Sequence, residues 1–225
     1  MFRSMPIIIH HLHVSQSERI PWLCEELSIP YELKLYTRSP LLAPPEYKAL
    51  HAAGTAPVIQ DGDLTLAESG AIVEYLCRKH ADGRLLLGPD HPEYAGFLYW
   101  FHWVNGTFQP SLGRISIAQH AGLGPDSPIV GFTNDRLRRG LNALDERLKD
   151  NAYLAGEEFT AADVMVVFTL TTMRHFSPYS LGAYDNIREY LKRVTDRNAY
   201  RTAMKRCDPQ VEPVIGADPP MHSSK

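Results

Sequence analysis

The first thirty-six residues constrain the fold most. The run Ile7–Leu12 is continuously apolar apart from two histidines and is rich in β-branched residues, as a central strand covered on both faces requires. Ile20, Leu23, Cys24 and Leu27 then recur at helical spacing. Pro30 blocks the helix, and Tyr31, Leu33 and Leu35 alternate with Glu32, Lys34 and Tyr36, the pattern of a half-buried strand. Together these segments predict a strand–helix–strand unit with a right-handed crossover, so the chain starts as an α/β domain.

The next stretch holds Pro40, Pro44, Pro45 and Gly54 and predicts irregular chain with one short helix near 46–51. Pro57–Gln60 and Leu64–Leu66 flank Asp61-Gly62-Asp63, a hairpin signature. Ser69 is expected to cap a helix with Ile72, Tyr75 and Leu76 facing inward. Residues 81–92 carry two glycines and two prolines, interrupt both periodicities and mark a domain boundary, giving an α/β domain over 1–86 and a second domain over 93–225.

Beyond the boundary the strand signals end. A long helix from Tyr94 is expected to bend near Pro110, a second spans 136–148, and Thr160 with Asp163 forms a capping-box relative ahead of the apolar 164–170. Ile187, Tyr190, Leu191 and Val194 predict a further helix, and 208–225 an extended or frayed tail. The second domain therefore reads as all-α, with 164–170 at its centre.

Composition removes several functions. A formal charge of −3 with scattered Lys and Arg provides no field for a phosphate backbone, so nucleic acid is not an expected partner. No apolar run approaches the ~20 residues that cross a bilayer, and residues 1–6 lack a signal core, which leads us to expect no membrane partner and a cytoplasmic location. Three widely spaced cysteines without ligand spacing agree with a reducing compartment, and Cys24 reads as core.

Ser15 and Ser17 stand between strand and helix with Arg19 in the first turn, a place that can cap the helix, with Ser17 as the N-cap and Arg19 as a packing or ion-pair residue, or stabilise an anion. Glu68-Ser69 opens the next helix, where a carboxylate meets amides and a hydroxyl while Glu68 can take an ammonium, a pair suited to an amino-acid head group. Thr55-Ala56-Pro57 adds a proline at a strand start; we expect a cis Ala56–Pro57 bond that presents the Ala56 backbone to a peptide-like ligand. His10, His11 and His13 raise a metal site, but no local carboxylate cluster or HExxH completes one, so no metal is expected. A GxSxG elbow for a serine hydrolase is also missing.

The segments HHLHVSQSERIPWLCEELSIPYE, GTAPVIQDGDLTLAESGAIVEYL, GFLYWFHWVNGTFQPSL and YLAGEEFTAADVMV, in this order, resemble the successive signatures of cytosolic glutathione S-transferases, particularly the serine-type fungal and bacterial branch. The resemblance runs from about residue 7 to about residue 206. It implies a thioredoxin-like N-terminal domain followed by an all-α C-terminal domain, glutathione as co-substrate and a small hydrophobic electrophile as second substrate, taken up between the domains. It also implies a homodimer. By residue, it implies Ser15 as the hydroxyl that hydrogen-bonds the glutathione sulfur, Arg19 beside it, Ala56 and Pro57 against the cysteinyl backbone, and Glu68 and Ser69 on the γ-glutamyl group. Thr55 and His51 fall at further binding positions. Ser17 stands where the branch often has proline. Arg38 and Lys48 could face the glycyl carboxylate but read rather as solvated charges. Tyr99, Trp100, His102, Trp103, Phe108 and Gln109 are candidates to line the second-substrate pocket, although such a stripe more often forms core. Two other readings share the same residues: a glutathione-binding regulatory or carrier module with little turnover, and a glutathione-dependent peroxidase or ether-cleaving enzyme.

Overall fold

Strand β1 (Ile7–Leu12) lies inside a four-stranded sheet of order β2-β1-β3-β4, with β2 at Tyr31–Tyr36, β3 at Val58–Asp61 and β4 at Leu64–Ala67. It is parallel to β2 and antiparallel to β3, and neighbours on both sides account for its uninterrupted apolar sequence. Ile9 pairs with Leu33 on one side and Ile59 on the other, and Ile9 and Ile59 are wholly buried. In the β3–β4 hairpin Asp61 pairs with Leu64, leaving Gly62 and Asp63 as the loop; Gly62 takes φ +59°, which glycine adopts at little cost.

The computed structural model describes residues 6–39, 42–124 and 126–220; Pro40 and Leu41, Pro125 and both ends of the chain, residues 1–5 and 221–225, fall outside it. The chain divides into two compact units, one of residues up to Leu87 with Val194–Pro213, the other of Gly88–Arg193 with the segment from Val214.

In the first unit, a 3₁₀ turn (Gln16–Glu18) leads into α1 (Arg19–Leu27), which buries Ile20, Leu23, Cys24 and Leu27. Cys24 is therefore core, and burial raises its thiol far from reactivity. The short helix α2 (Pro45–Lys48) places Tyr47 in a cluster with Leu12, Val58 and Ala67. Helix α3 (Ser69–His80) departs from expectation in two ways. Glu68, at φ +74°, occupies the cap position and Ser69 is the first helical residue; Tyr75 is half-buried and donates its hydroxyl to Asp61 Oδ2 at 2.8 Å, leaving Ile72, Val73 and Leu76 as the core face.

The largest difference lies near the C-terminus. The all-α helix α9 (Asn198–Cys207), which the sequence reading did not separate, groups with the α/β unit and buries Tyr200, Ala203, Met204 and Cys207. It packs on α1. Tyr200 meets Trp22 edge-on at 5.0 Å, and Glu26 takes two hydrogen bonds of 2.7 Å from Arg197.

In the second unit, α4 (Tyr94–Trp103) and α5 (Gln109–His120) form the expected bent helix, the bend being a π-helical turn at Val104–Phe108 just before Pro110. Trp103 and Phe108 stack across that turn at 4.6 Å. Helix α6 (Pro128–Lys149) starts well before residue 136, because Pro128 after Ser127 suits a first helical turn. All of α7 (Ala161–Leu170) is buried, and Thr160 and Asp163 form the capping box. Helix α8 (Asp185–Thr195) buries Ile187, Tyr190 and Leu191. The described part of the tail, 208–220, forms neither helix nor strand but is tied down: buried Arg174 donates to the carbonyls of Val214 at 3.0 Å, Gly216 at 2.9 Å and Ala217 at 2.8 Å. Among the described residues no helix is long and apolar enough to cross a membrane.

Candidate active site

Beyond β1 the chain makes a sharp turn. Val14 has φ +52°, a region a β-branched residue enters only when its surroundings impose it. Two side chains do so. The Asp208 carboxylate accepts from the Val14 amide at 3.2 and 3.3 Å, while the Arg38 guanidinium donates to the carbonyls of Val14 at 2.7 Å and His13 at 3.0 Å. Arg38 is thus a half-buried brace of this turn and not the solvated charge expected; Lys48 is exposed. Burial lowers the Arg38 pKa against the opposing pull of Asp208.

The turn fixes the two serines differently from a simple cap. Ser15 is the capping residue, its Oγ accepting from the Ser17 amide at 3.2 Å. Ser17, expected as the cap, turns inward: its Oγ accepts from the Leu12 amide at 3.1 Å, lies 2.8 Å from His11 Nδ1 and is 2.7 Å from Ser15 Oγ. His11 Nε2 in turn meets Asp208 Oδ2 at 2.9 Å, and His13 Nδ1 meets Asp208 Oδ1 at 2.7 Å. Ser15 is 5% exposed, Ser17 and His11 not at all. Burial alone would raise the Asp208 pKa, but the bonds and charge from His11, the bond from His13 and the Val14 amide outweigh it and hold the carboxyl below its ordinary range.

A second set of bonds leads outward from Ser15. Gln16 Nε2 donates to the Ala56 carbonyl at 2.8 Å, and Gln16 Oε1 accepts from Arg19 Nη1 at 2.9 Å. The same nitrogen donates to Ser69 Oγ at 3.1 Å. Arg19 is wholly buried; burial pulls its pKa down to about 9, with the charges of Glu18 and Glu68 opposing. The Ala56–Pro57 bond is cis, as expected. The turn of Ser15, the Ala56 backbone and the start of α3 are therefore joined through Gln16 and Arg19. Glu68 is exposed beside buried Ser69. Thr55 is exposed, and the His51 ring accepts locally from the Ala53 amide at 3.1 Å, so neither belongs to this chain of bonds.

Three residues of the site escaped the sequence reading. Gln16 has no motif of its own. His11 raises only a metal site in the sequence. Asp208 falls where the sequence predicts an extended or frayed tail, although Tyr200, Ala203, Met204 and Cys207 before it carry helical spacing. His10 separates from the other two histidines, because successive strand residues face opposite ways: His10 bonds Tyr36 at 2.9 Å and Gln60 at 3.2 Å, while His11 and His13 both bond Asp208. Ligand atoms of His11, His13 and Asp208 lie within 4.8 Å of one another, so folding supplies the carboxylate the local sequence lacks. Those atoms hydrogen-bond each other and the Val14 amide, and we read the group as a hydrogen-bonded network. Of the aromatic stripe, Trp100, Trp103 and Phe108 are core, whereas Tyr99 and His102 are exposed.

Residues 15–79 match the family model of the glutathione S-transferase N-terminal domain, and 132–198 that of the C-terminal domain. Glutathione S-transferase 3 of Schizosaccharomyces pombe is 31% identical over 214 residues, covering 90% of this chain and 88% of that one. The chain belongs to the glutathione S-transferase family. A solved glutathione S-transferase from Actinobacillus pleuropneumoniae is 31% identical with a TM-score of 0.81, covering 90% of this chain and 93% of that one. A glutathione transferase family member from Pseudomonas fluorescens, solved with two glutathione bound, shares the fold at 20% identity and a TM-score of 0.74, covering 91% of this chain and 94% of that one. The α/β unit followed by an all-α unit is this family's fold, as the sequence signatures implied.

Proposed function

We propose that the protein is a glutathione transferase in which the Ser15 hydroxyl donates to the glutathione sulfur and favours its thiolate. A free thiol is only a few per cent ionised at neutral pH, and each unit of lowered pKa takes about 1.4 kcal/mol. One charge-assisted hydrogen bond contributes roughly 1.5–3 kcal/mol and a helix terminus roughly 0.3–1 kcal/mol. Ser15, capping the turn into α1, can supply both. The thiolate then attacks a small hydrophobic electrophile, so Ser15 acts as donor and not as nucleophile.

The observation that carries this reading is the chain Ala56–Gln16–Arg19–Ser69, which ties the sulfur position to two places where a peptide would be gripped. Ala56 and Pro57 take the cysteinyl backbone. Glu68 takes the γ-glutamyl ammonium, while Ser69 and the first amides of α3 take its carboxylate. Thr55 and His51 contribute at the rim. The protein acts as a homodimer, with a solution mass near twice 25.4 kDa.

The test pairs calorimetry with glutathione and turnover on a panel of electrophiles, a peroxide included. Saturable binding with conjugation supports the reading. Binding without any turnover would replace it with a carrier or regulatory module, and no binding would remove it.

A further inference from the structure

The order Asp208–His11–Ser17–Ser15 is a continuous buried chain of hydrogen bonds of 2.9, 2.8 and 2.7 Å that ends at the hydroxyl assigned to the sulfur. Its proton count leaves two arrangements. With His11 neutral and Nε2–H on Asp208, Nδ1 must accept; Ser17 then donates to His11, and Ser15 is left donating to Ser17. In that state the Ser15 proton points away from any ligand. With His11 protonated on both nitrogens the bond to Asp208 keeps its direction and the other two reverse: His11 donates to Ser17, Ser17 to Ser15, and the Ser15 proton is released for an outside acceptor.

We propose that this chain is a proton relay, with His11 as the terminal acceptor of the glutathione thiol proton; the proposal rests on Ser15 facing the sulfur. The thiol S–H bond breaks and its proton passes to Ser15 Oγ. The former Ser15 proton passes to Ser17 Oγ, and the former Ser17 proton to His11 Nδ1. The products are a thiolate accepting from Ser15 and an imidazolium held against the Asp208 carboxylate. One proton has moved and no co-reactant is needed. When the conjugate leaves, the proton returns from His11 Nδ1 through Ser17 and Ser15 to water at the Ser15 end, the only end of the chain with any exposure, and the chain resets. His11, Ser17 and Asp208 are positioning residues, since none touches sulfur.

The surroundings suit a transient imidazolium. Asp208 faces His11 from the end of α9, where a helix C-terminus by itself disfavours a carboxylate, so its placement there depends on His11, His13 and the Val14 amide. The His13 ring stands edge-on to His11 at 5.8 Å. The Asp208 charge also acts on Arg38 and on Cys207, and the Glu18 charge on Cys207; burial keeps the Cys207 thiol neutral.

Calorimetry in buffers of differing ionisation enthalpy counts protons released on binding, and ultraviolet absorbance reports thiolate. Subtracting the count for S-methylglutathione, which has no thiol proton, isolates the thiol. The relay predicts that the wild-type complex near pH 7 holds thiolate while releasing well under half a proton per glutathione. In His11→Asn, which keeps a hydrogen-bonding group but no base, each thiolate formed is matched by one proton to the buffer, and the pH profile of kcat/KM moves to higher pH. Asp208→Asn shifts the profile the same way. Thiolate formed with one full proton released by the wild type overturns the relay, and this measurement requires no variant to fold. An absence of glutathione binding is the separate failure of the underlying reading and takes the relay with it.

Discussion

Asp208 Oδ2 lies 2.9 Å from His11 Nε2 across 197 positions of sequence, so the last residue region of the α/β unit closes onto its first strand. This contact decides how the turn at Val14 is held and what stands behind Ser15.

Replacing Asp208 by Asn removes a buried carboxylate that three groups hydrogen-bond. A charge-assisted bond of this kind contributes roughly 1.5–3 kcal/mol, and we expect a loss of that order in urea denaturation at pH 7. The sign with pH follows from the lowered folded-state pKa: the contribution is present above the unfolded value near about 3.9 and is lost as pH falls through the lower folded value. The wild-type advantage over Asp208→Asn is therefore full at neutral pH and shrinks below about pH 4. An advantage that grows on acidification would contradict the assignment.

Arg19 places one guanidinium nitrogen on both Gln16 and Ser69. Lysine keeps a charge but not the planar fork, so Arg19→Lys should loosen both partners and weaken glutathione binding by about tenfold, or ~1.4 kcal/mol. Calorimetric affinity unchanged within twofold would show that the bridge does not shape the peptide site.

Much of this architecture is readable from short-range pattern. The β1–α1–β2 unit, the β3–β4 hairpin and the Thr160 capping box each follow from residues a few positions apart. The departures have distant causes. Val14 carries no signal for a left-handed backbone, because Asp208 and Arg38 impose it from elsewhere. Ser17 reads as a cap until His11 and the Leu12 amide draw it inward. The spacing of α9 is present in the sequence, but the proline- and serine-rich residues after it suggest a free tail. Only the fold shows that α1 offers it a face.

Helix α6 allows a paired test of packing against propensity. A Cβ at Gly140 would lie 2.9 Å from Trp103 Cζ2, and Trp103 is buried and stacked on Phe108; at Gly131 nothing lies within 4 Å. Alanine gains roughly 1 kcal/mol of helix propensity at either position. Gly131→Ala should raise stability by about that amount, and Gly140→Ala should lack that gain and lower stability by up to about 2 kcal/mol, because overpacking costs about 1–3 kcal/mol. Equal denaturation midpoints for the two variants would contradict the packing described.

Arg197 reaches Glu26 with two bonds, and α9 carries Asp208 at its end. Arg197→Ala should destabilise the protein by about 1–3 kcal/mol. It should also speed hydrogen exchange of the Val14 amide, which a purely local loss would leave protected. Exchange at Val14 unchanged from wild type would separate α9 from the Ser15 turn.

The most direct measurement is the pKa of the glutathione thiol in the complex, read from thiolate absorbance against pH for the wild type and for Ser15→Ala. The account predicts a wild-type value at least about one unit below that of free glutathione and a rise of roughly 1–2 units in Ser15→Ala, the size of one charge-assisted hydrogen bond. The same thiol pKa in both proteins, with glutathione bound equally well, would contradict it.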